Sequence, residues 1–164
     1  TGLNFWSGFS TFTIDVNFLG WSQGKLYQFR RNPASSFNLA YREIKLLGGD
    51  KKTMQFSDDV KIITPANSKY VYLFDKVNQT FTVYESRPLK TNDQFATNYN
   101  LYYLFSFAFD LGNNKVIDVT IPDELGNRPE LYVLTQDGIN KIQLHEFVDS
   151  IKNNNVLKQV NQQN

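Results

Sequence analysis

Residues 116–147 read VIDVTIPDELGNRPELYVLTQDGINKIQLHEF, and this stretch decides the fold. Three runs rich in β-branched and aromatic residues, at 116–121, 130–135 and 140–147, predict three short strands. Gly126-Asn127 and Asp137-Gly138 fall between them. Both pairs suit tight turns, because Gly and Asn reach positive φ at low cost and Asp bonds its own backbone. Three strands joined by two turns form an antiparallel β-meander.

Two looser copies of this plan lie upstream. The middle strands read KLYQF at 25–29, VYLF at 71–74 and ELYVL at 130–134. The third strands read LAYRE, FTVYE and IQLHE, and end on Glu43, Glu85 and Glu146. The first strands share Ile14-Asp15-Val16 and Ile117-Asp118-Val119, whereas VKII at 60–63 lacks the Asp. Tyr27 and Tyr72 are 45 positions apart, and Glu43 and Glu85 are 42 apart. Repeats of roughly 40–50 residues are the spacing of stacked four-stranded leaflets. The longer step of 60 from Tyr72 to Tyr132 places its extra length in the polar segment 89–99.

The rest of the chain fits around these copies. Residues 1–10, TGLNFWSGFS, are expected as an extended arm laid on a sheet, and 12–18, FTIDVNF, alternate as a half-buried strand does. Residues 20–24, GWSQG, carry turn chemistry, and 52–56 are expected as a short outer strand. Residues 101–110, LYYLFSFAFD, are apolar at nearly every position up to Phe109. They predict a strand buried on both faces, with 112–114 as the hairpin into Val116. Arg87-Pro88 is expected to end the second unit. The domain then spans 1–151, with units at 12–56, 57–88 and 101–147. A short helix is expected over 146–152. The Asn/Gln-rich residues 152–164 read as a polar tail or linker.

Composition bounds the function. The chain has 164 residues, 41% of them hydrophobic and 15% aromatic, enough apolar surface to build a core. Seventeen Lys and Arg against sixteen Asp and Glu leave no concentrated positive charge for nucleic acid or anionic lipid. With no Cys, neither disulfides nor thiolate metal sites are expected. No apolar run approaches the roughly 20 residues of a membrane-spanning helix. The chain begins at Thr1 without an initiator Met, which fits a processed form, a piece of something longer or a trimmed chain equally.

Chemical motifs are sparse. No nucleophile elbow, phosphate loop or zinc-protease helix is present, so no catalytic residue, metal ligand or cofactor is expected. The lone histidine, His145, aligns with Arg42 and Tyr84 and reads as an exposed strand residue. The three aligned glutamates, and the pairs Asp58-Asp59 and Asp123-Glu124, read as solvated strand ends and turns. Trp21, Tyr99, Tyr102 and Tyr103 are the candidate ligand-binding residues, an aromatic platform for sugar rings or a protein partner. Trp21 stands out because the turn assigned to 20–24 gives it few neighbours.

The pattern DVTIP…ELYVLTQDGINKIQL resembles a β-propeller blade of the degenerate kind found in bacterial surface and periplasmic proteins. The WD dipeptide and the double-Gly signature of better-defined blades are missing. Asp110-Leu111-Gly112-Asn113-Asn114 is short of the carboxylates that calcium-loop blades carry. The resemblance implies an all-β fold of about three propeller-type blades, with a β-sandwich as the alternative. It further implies a non-catalytic protein-interaction module within a larger, extracytoplasmic protein or assembly, with a protein partner or self-association. The rival readings are a carbohydrate-binding or carbohydrate-processing domain, and a structural subunit that builds a ring or filament through its edge strands.

Overall fold

Every residue of the strand Tyr70–Asp75 is buried, which requires a packed layer on both faces of its sheet. The computed structural model describes residues 4–10, 17–31, 39–52, 55–65, 68–89, 99–122 and 128–146, and shows those layers. In the first sheet β1 (Asn4–Ser10), β2 (Asn17–Ser22), β3 (Lys25–Arg31) and β4 (Leu39–Ile44) pair in chain order as an antiparallel meander. The second sheet contains β5 (Leu46–Leu47), β6 (Val60–Ile63), β7 (Tyr70–Asp75), β8 (Thr80–Pro88) and β9 (Tyr99–Ala108), in the order β5-β9-β8-β7-β6. Among the described residues, only the two-residue β5 runs parallel to its neighbour, β9. The third sheet is the meander β10 (Asp118–Thr120), β11 (Glu130–Thr135) and β12 (Gly138–Gln143). The protein is therefore all-β, in antiparallel and mixed sheets, with residues 144–146 helical.

Alternation along the strands assigns each face. In β7, Val71 and Leu73 pack with Leu19, Trp21, Leu26 and Ile44 of the first sheet. Tyr70, Tyr72 and Phe74 point the other way, into Val119, Leu131 and Val133 of the third. Each cluster holds ten or more buried residues. At about 1.5–3 kcal/mol for each large apolar side chain removed from water, either interface stabilises the stack by far more than one residue's ordering costs. The described strands thus form three stacked sheets rather than the two layers of a sandwich, and they close no ring.

Several expectations need correction. Residues 4–10, expected as an extended arm laid on a sheet, form a regular strand paired to β2. The turn expected at 20–24 shrinks to Gln23-Gly24, both at positive φ, because Gly20, Trp21 and Ser22 complete β2. Residues 101–108 belong to the second sheet: β9 pairs with β8 along its whole length, Pro88 opposite Tyr99, and makes no hairpin with β10. Pro88 is the last residue of β8, as expected of a residue without an N–H donor, but the sheet continues into β9. A bulge between Val83 and Tyr84 lets β9 present aromatic residues to both layers. Of the predicted outer strand, residues 55 and 56 are irregular. The predicted strand 140–147 stops at Gln143, and the helical turn begins there, ahead of the expected position. Residues 1–3, 11–16, 32–38, 53–54, 66–67, 90–98, 123–127 and 147–164, and with them part of the first strand, the Gly126-Asn127 turn, the Asp123-Glu124 pair, the rest of the helix and the tail, lie outside the described residues.

Register also revises the repeat. Tyr27 lies opposite Glu43, Tyr72 opposite Val83, and Tyr132 opposite Lys141. Glu43, Glu85 and Glu146 are therefore not equivalent positions, and Glu146 is in the helical turn. Tyr72 and Tyr132 both face away from the first sheet. Tyr27 faces outward on the opposite side, since its neighbour Leu26 is the one packed on the second sheet.

Candidate functional site

The four aromatic residues singled out by sequence do not form one platform. Trp21 is buried in the first interface, with Phe56 edge-on at 5.2 Å. Its indole N–H donates to the Ser57 carbonyl at 3.2 Å. Tyr99 is buried in the same cluster. Burial pushes its hydroxyl pKa up to about 12, against the opposing pull of the nearby Arg42 cation. The Arg42 guanidinium donates to the Tyr99 carbonyl and to Gln28 Oε1. Neither Trp21 nor Tyr99 offers a solvent-facing ring plane.

Tyr103 packs against this cluster too, edge-on to Tyr84 at 6.1 Å, with its hydroxyl 2.9 Å from Ser106 Oγ. Tyr102 is adjacent in sequence and so points to the opposite face. There it lies opposite Glu85, which in turn faces Tyr70. The Arg87 guanidinium stacks 4.2 Å from the Tyr102 ring, and its Nε sits 3.3 Å from Glu85 Oε1. Lys69 approaches Glu85 at 3.8 Å from the other side. This shelf is one half-buried carboxylate held between two half-exposed cations over a tyrosine. Among the described residues, no ion pair or hydrogen bond joins Glu85 to a second carboxylate or an imidazole that would make an acid/base pair. His145 is half-buried in the helical turn rather than exposed on a strand. Among the described residues, no three His, Cys, Asp or Glu side chains cluster as metal ligands would, and no helix is long and apolar enough to cross a membrane.

A second surface was not foreseen from the sequence. The outer face of the third sheet carries Asp118, Leu134 and Ile139 in one cross-strand row and Thr120, Tyr132 and Lys141 in the next. Ile139 is 70% exposed and Leu134 40%. The rows border a shallow groove of about 200 Å³. Lys141 lies 3.7 Å from Glu130, and Asp118 is held by Lys61 at 2.9 Å, so charges rim an apolar floor. The sequence signal was available: Leu134 and Ile139 lie on either side of the hairpin turn, which the structure places at Gln136-Asp137 rather than Asp137-Gly138, on the face that alternation leaves away from the core.

No protein-family model matches this chain, and no curated protein matches its sequence.

Proposed function

We propose that the chain is a non-catalytic protein-interaction module of propeller type, working within a larger protein or assembly. The observation that carries this reading is the contrast between sheets. The second sheet is covered on both faces, while the third repeats its forward-facing tyrosine, Tyr132 for Tyr72, on a face where Ile139 and Leu134 meet solvent. Within the stack, a face of that phase packs on the next leaflet. The occupant we infer is a further β-leaflet with an apolar inner face, and the rim of Asp118, Glu130 and Lys141 sets its register.

With no native Cys, an Ile139→Cys variant carries a single thiol. Labelling by a maleimide should be fast on the isolated chain and at least tenfold slower in cells where the assembly forms. Equal rates in both settings refute the reading.

A further inference from the structure

The charged shelf and the grooved face do not account for β9. Its inner edge pairs with β8, and its outer edge pairs with β5 only at Leu101 and Tyr102. The flanking chain then leaves: Gly48 sits beside Tyr103, and Gly48 and Gly49 both take positive φ. Among the described residues, no strand continues the ladder past that point.

The parity of the backbone groups on that open edge follows from two hydrogen bonds. Leu101 N–H points outward to the Lys45 carbonyl at 3.0 Å, and Phe109 N–H points inward to the Gln79 carbonyl at 2.8 Å. The bulge between these points, whose extra residue is Leu104, reverses the parity, so Ser106 and Ala108 turn both N–H and C=O outward, and the C=O of Leu104, opposed to the inward N–H of Phe105, points outward with them. The sequence here is uncharged from Tyr99 to Phe109, and it contains none of the Lys, Pro or inward charges that usually protect an edge. It is also nearly palindromic about Ser106: Leu104-Phe105-Ser106-Phe107-Ala108 reads aliphatic, aromatic, serine, aromatic, aliphatic in both directions.

We propose that this edge pairs with the same edge of a second copy of the chain, antiparallel, with the two-fold axis at Ser106. A two-fold interface must be self-complementary, and the palindrome supplies that. Ser106 meets its own copy as a hydrogen-bonded pair. The Leu104 C=O accepts from the N–H of the other copy's Ala108, so the pairing extends on both sides of the axis. Phe105 meets Phe107 across the closer, non-hydrogen-bonded spacing, on the face where both already pack against the second interface. Gly48 beside Tyr103 and the carboxylate of Asp110 bound the window. This pairing is independent of what covers the third sheet.

Because the chain has no cysteine, Ser106→Cys places one thiol on the axis. The Cα separation of a hydrogen-bonded pair, about 5.5 Å, suits a disulfide. Mild oxidation of the full chain should give a covalent dimer for Ser106→Cys and none for the control Ile139→Cys. Light scattering should show a concentration-dependent dimer. Ala108→Lys, at an exposed position that leaves folding intact, should weaken that dimer about tenfold, since the symmetry counts the substitution twice. A monomer at all concentrations overturns the proposal, as does a dimer indifferent to Ala108→Lys. Slow amide exchange at Ser106 and Ala108 in a dilute monomer overturns it as well, because the chain would then be covering its own edge.

Discussion

Replacing Asp75 with Asn should lower stability by about 3 kcal/mol at neutral pH and by almost nothing in strong acid. The Asp75 side chain is fully buried at the end of β7, where a lone charge would be costly. Its Oδ1 accepts from Ser57 Oγ at 2.6 Å, from Val77 N at 3.1 Å and from Asn78 N at 3.0 Å. Its Oδ2 accepts from Ser57 N at 2.7 Å and from Asn78 Nδ2 at 3.0 Å. All five partners are donors, so an amide NH2 at either position confronts at least one N–H or O–H. Asn78 can flip its own amide to help, but the Ser57 N–H has no alternative. Hydrogen bonds to a charged acceptor contribute about 1.5–3 kcal/mol each, and losing the equivalent of one or two gives the expected figure.

The pH dependence follows from the same contacts. Burial alone raises the pKa of this carboxyl, and the bonds from Asn78, Ser57 and Val77 more than offset it, leaving the group below the usual carboxylate range. A depressed folded-state pKa means that the unfolded chain takes up the proton first on acidification. The stabilisation is therefore complete above the unfolded value of about 4 and disappears as pH falls through the lower folded value. Urea unfolding of wild type and Asp75→Asn at pH 7, pH 4 and below pH 3 measures the difference directly. A variant within 0.5 kcal/mol of wild type at pH 7, or a gap that stays constant into acid, would refute this account.

Three other substitutions probe the layers. Trp21→Ala should cost about 3–5 kcal/mol in urea unfolding, because it empties a fully buried site between two sheets and strands the Ser57 carbonyl; a loss under 1 kcal/mol would mean the indole sits in an open turn after all. Gly20→Ala should lower stability by about 1–2 kcal/mol in a thermal melt, since its new Cβ would lie 2.9 Å from Phe29 Cε2. Lys61 and Asp118, both partly exposed, should show a coupling of about 0.5 kcal/mol in a double-mutant cycle, much reduced at 1 M salt.

Alternation and turn chemistry made the meander class readable, because period two and the Gly and Asp turns are local properties of the chain. Depth was harder to read. The sequence GWSQG looks like a turn from its composition, yet two of its residues alone form the turn, and burial in the sheet interface claims Trp21. Faces were hardest, since a slip of one residue inverts every side chain of a strand. Aligning KLYQF with VYLF on their tyrosines made that slip: in the folded chain Leu26, not Tyr27, points along the stack as Tyr72 does. The same limitation hid the Ile139 face and split Tyr102 from Tyr103. Asp75 was legible only as a strand end, because its donors come from two loops, one of them 18 residues upstream.

Apolar burial explains why the sheets stack but not why they stack in one orientation, since it carries no directional preference. Direction comes from the few polar groups that cross the interfaces. Between the first and second sheets, Ser57 accepts from Trp21 and donates to Asp75, while Arg42 on β4 reaches the Tyr99 carbonyl and Asn100 on β9. Between the second and third, Lys61 reaches Asp118 and the Val119 carbonyl. The Gln79 amide pairs with Val116 in both directions, donating to its carbonyl at 3.2 Å and accepting its N–H at 2.7 Å. Each of these groups bonds main chain on the far side, so sliding one sheet along the other would break the bond without offering a substitute. Gln79→Ala should therefore do more than remove about 1–2 kcal/mol. It should speed amide exchange across β10–β12 relative to β2–β4, because only the third sheet loses an anchor. Uniform acceleration in both sheets would show that packing alone fixes the stack.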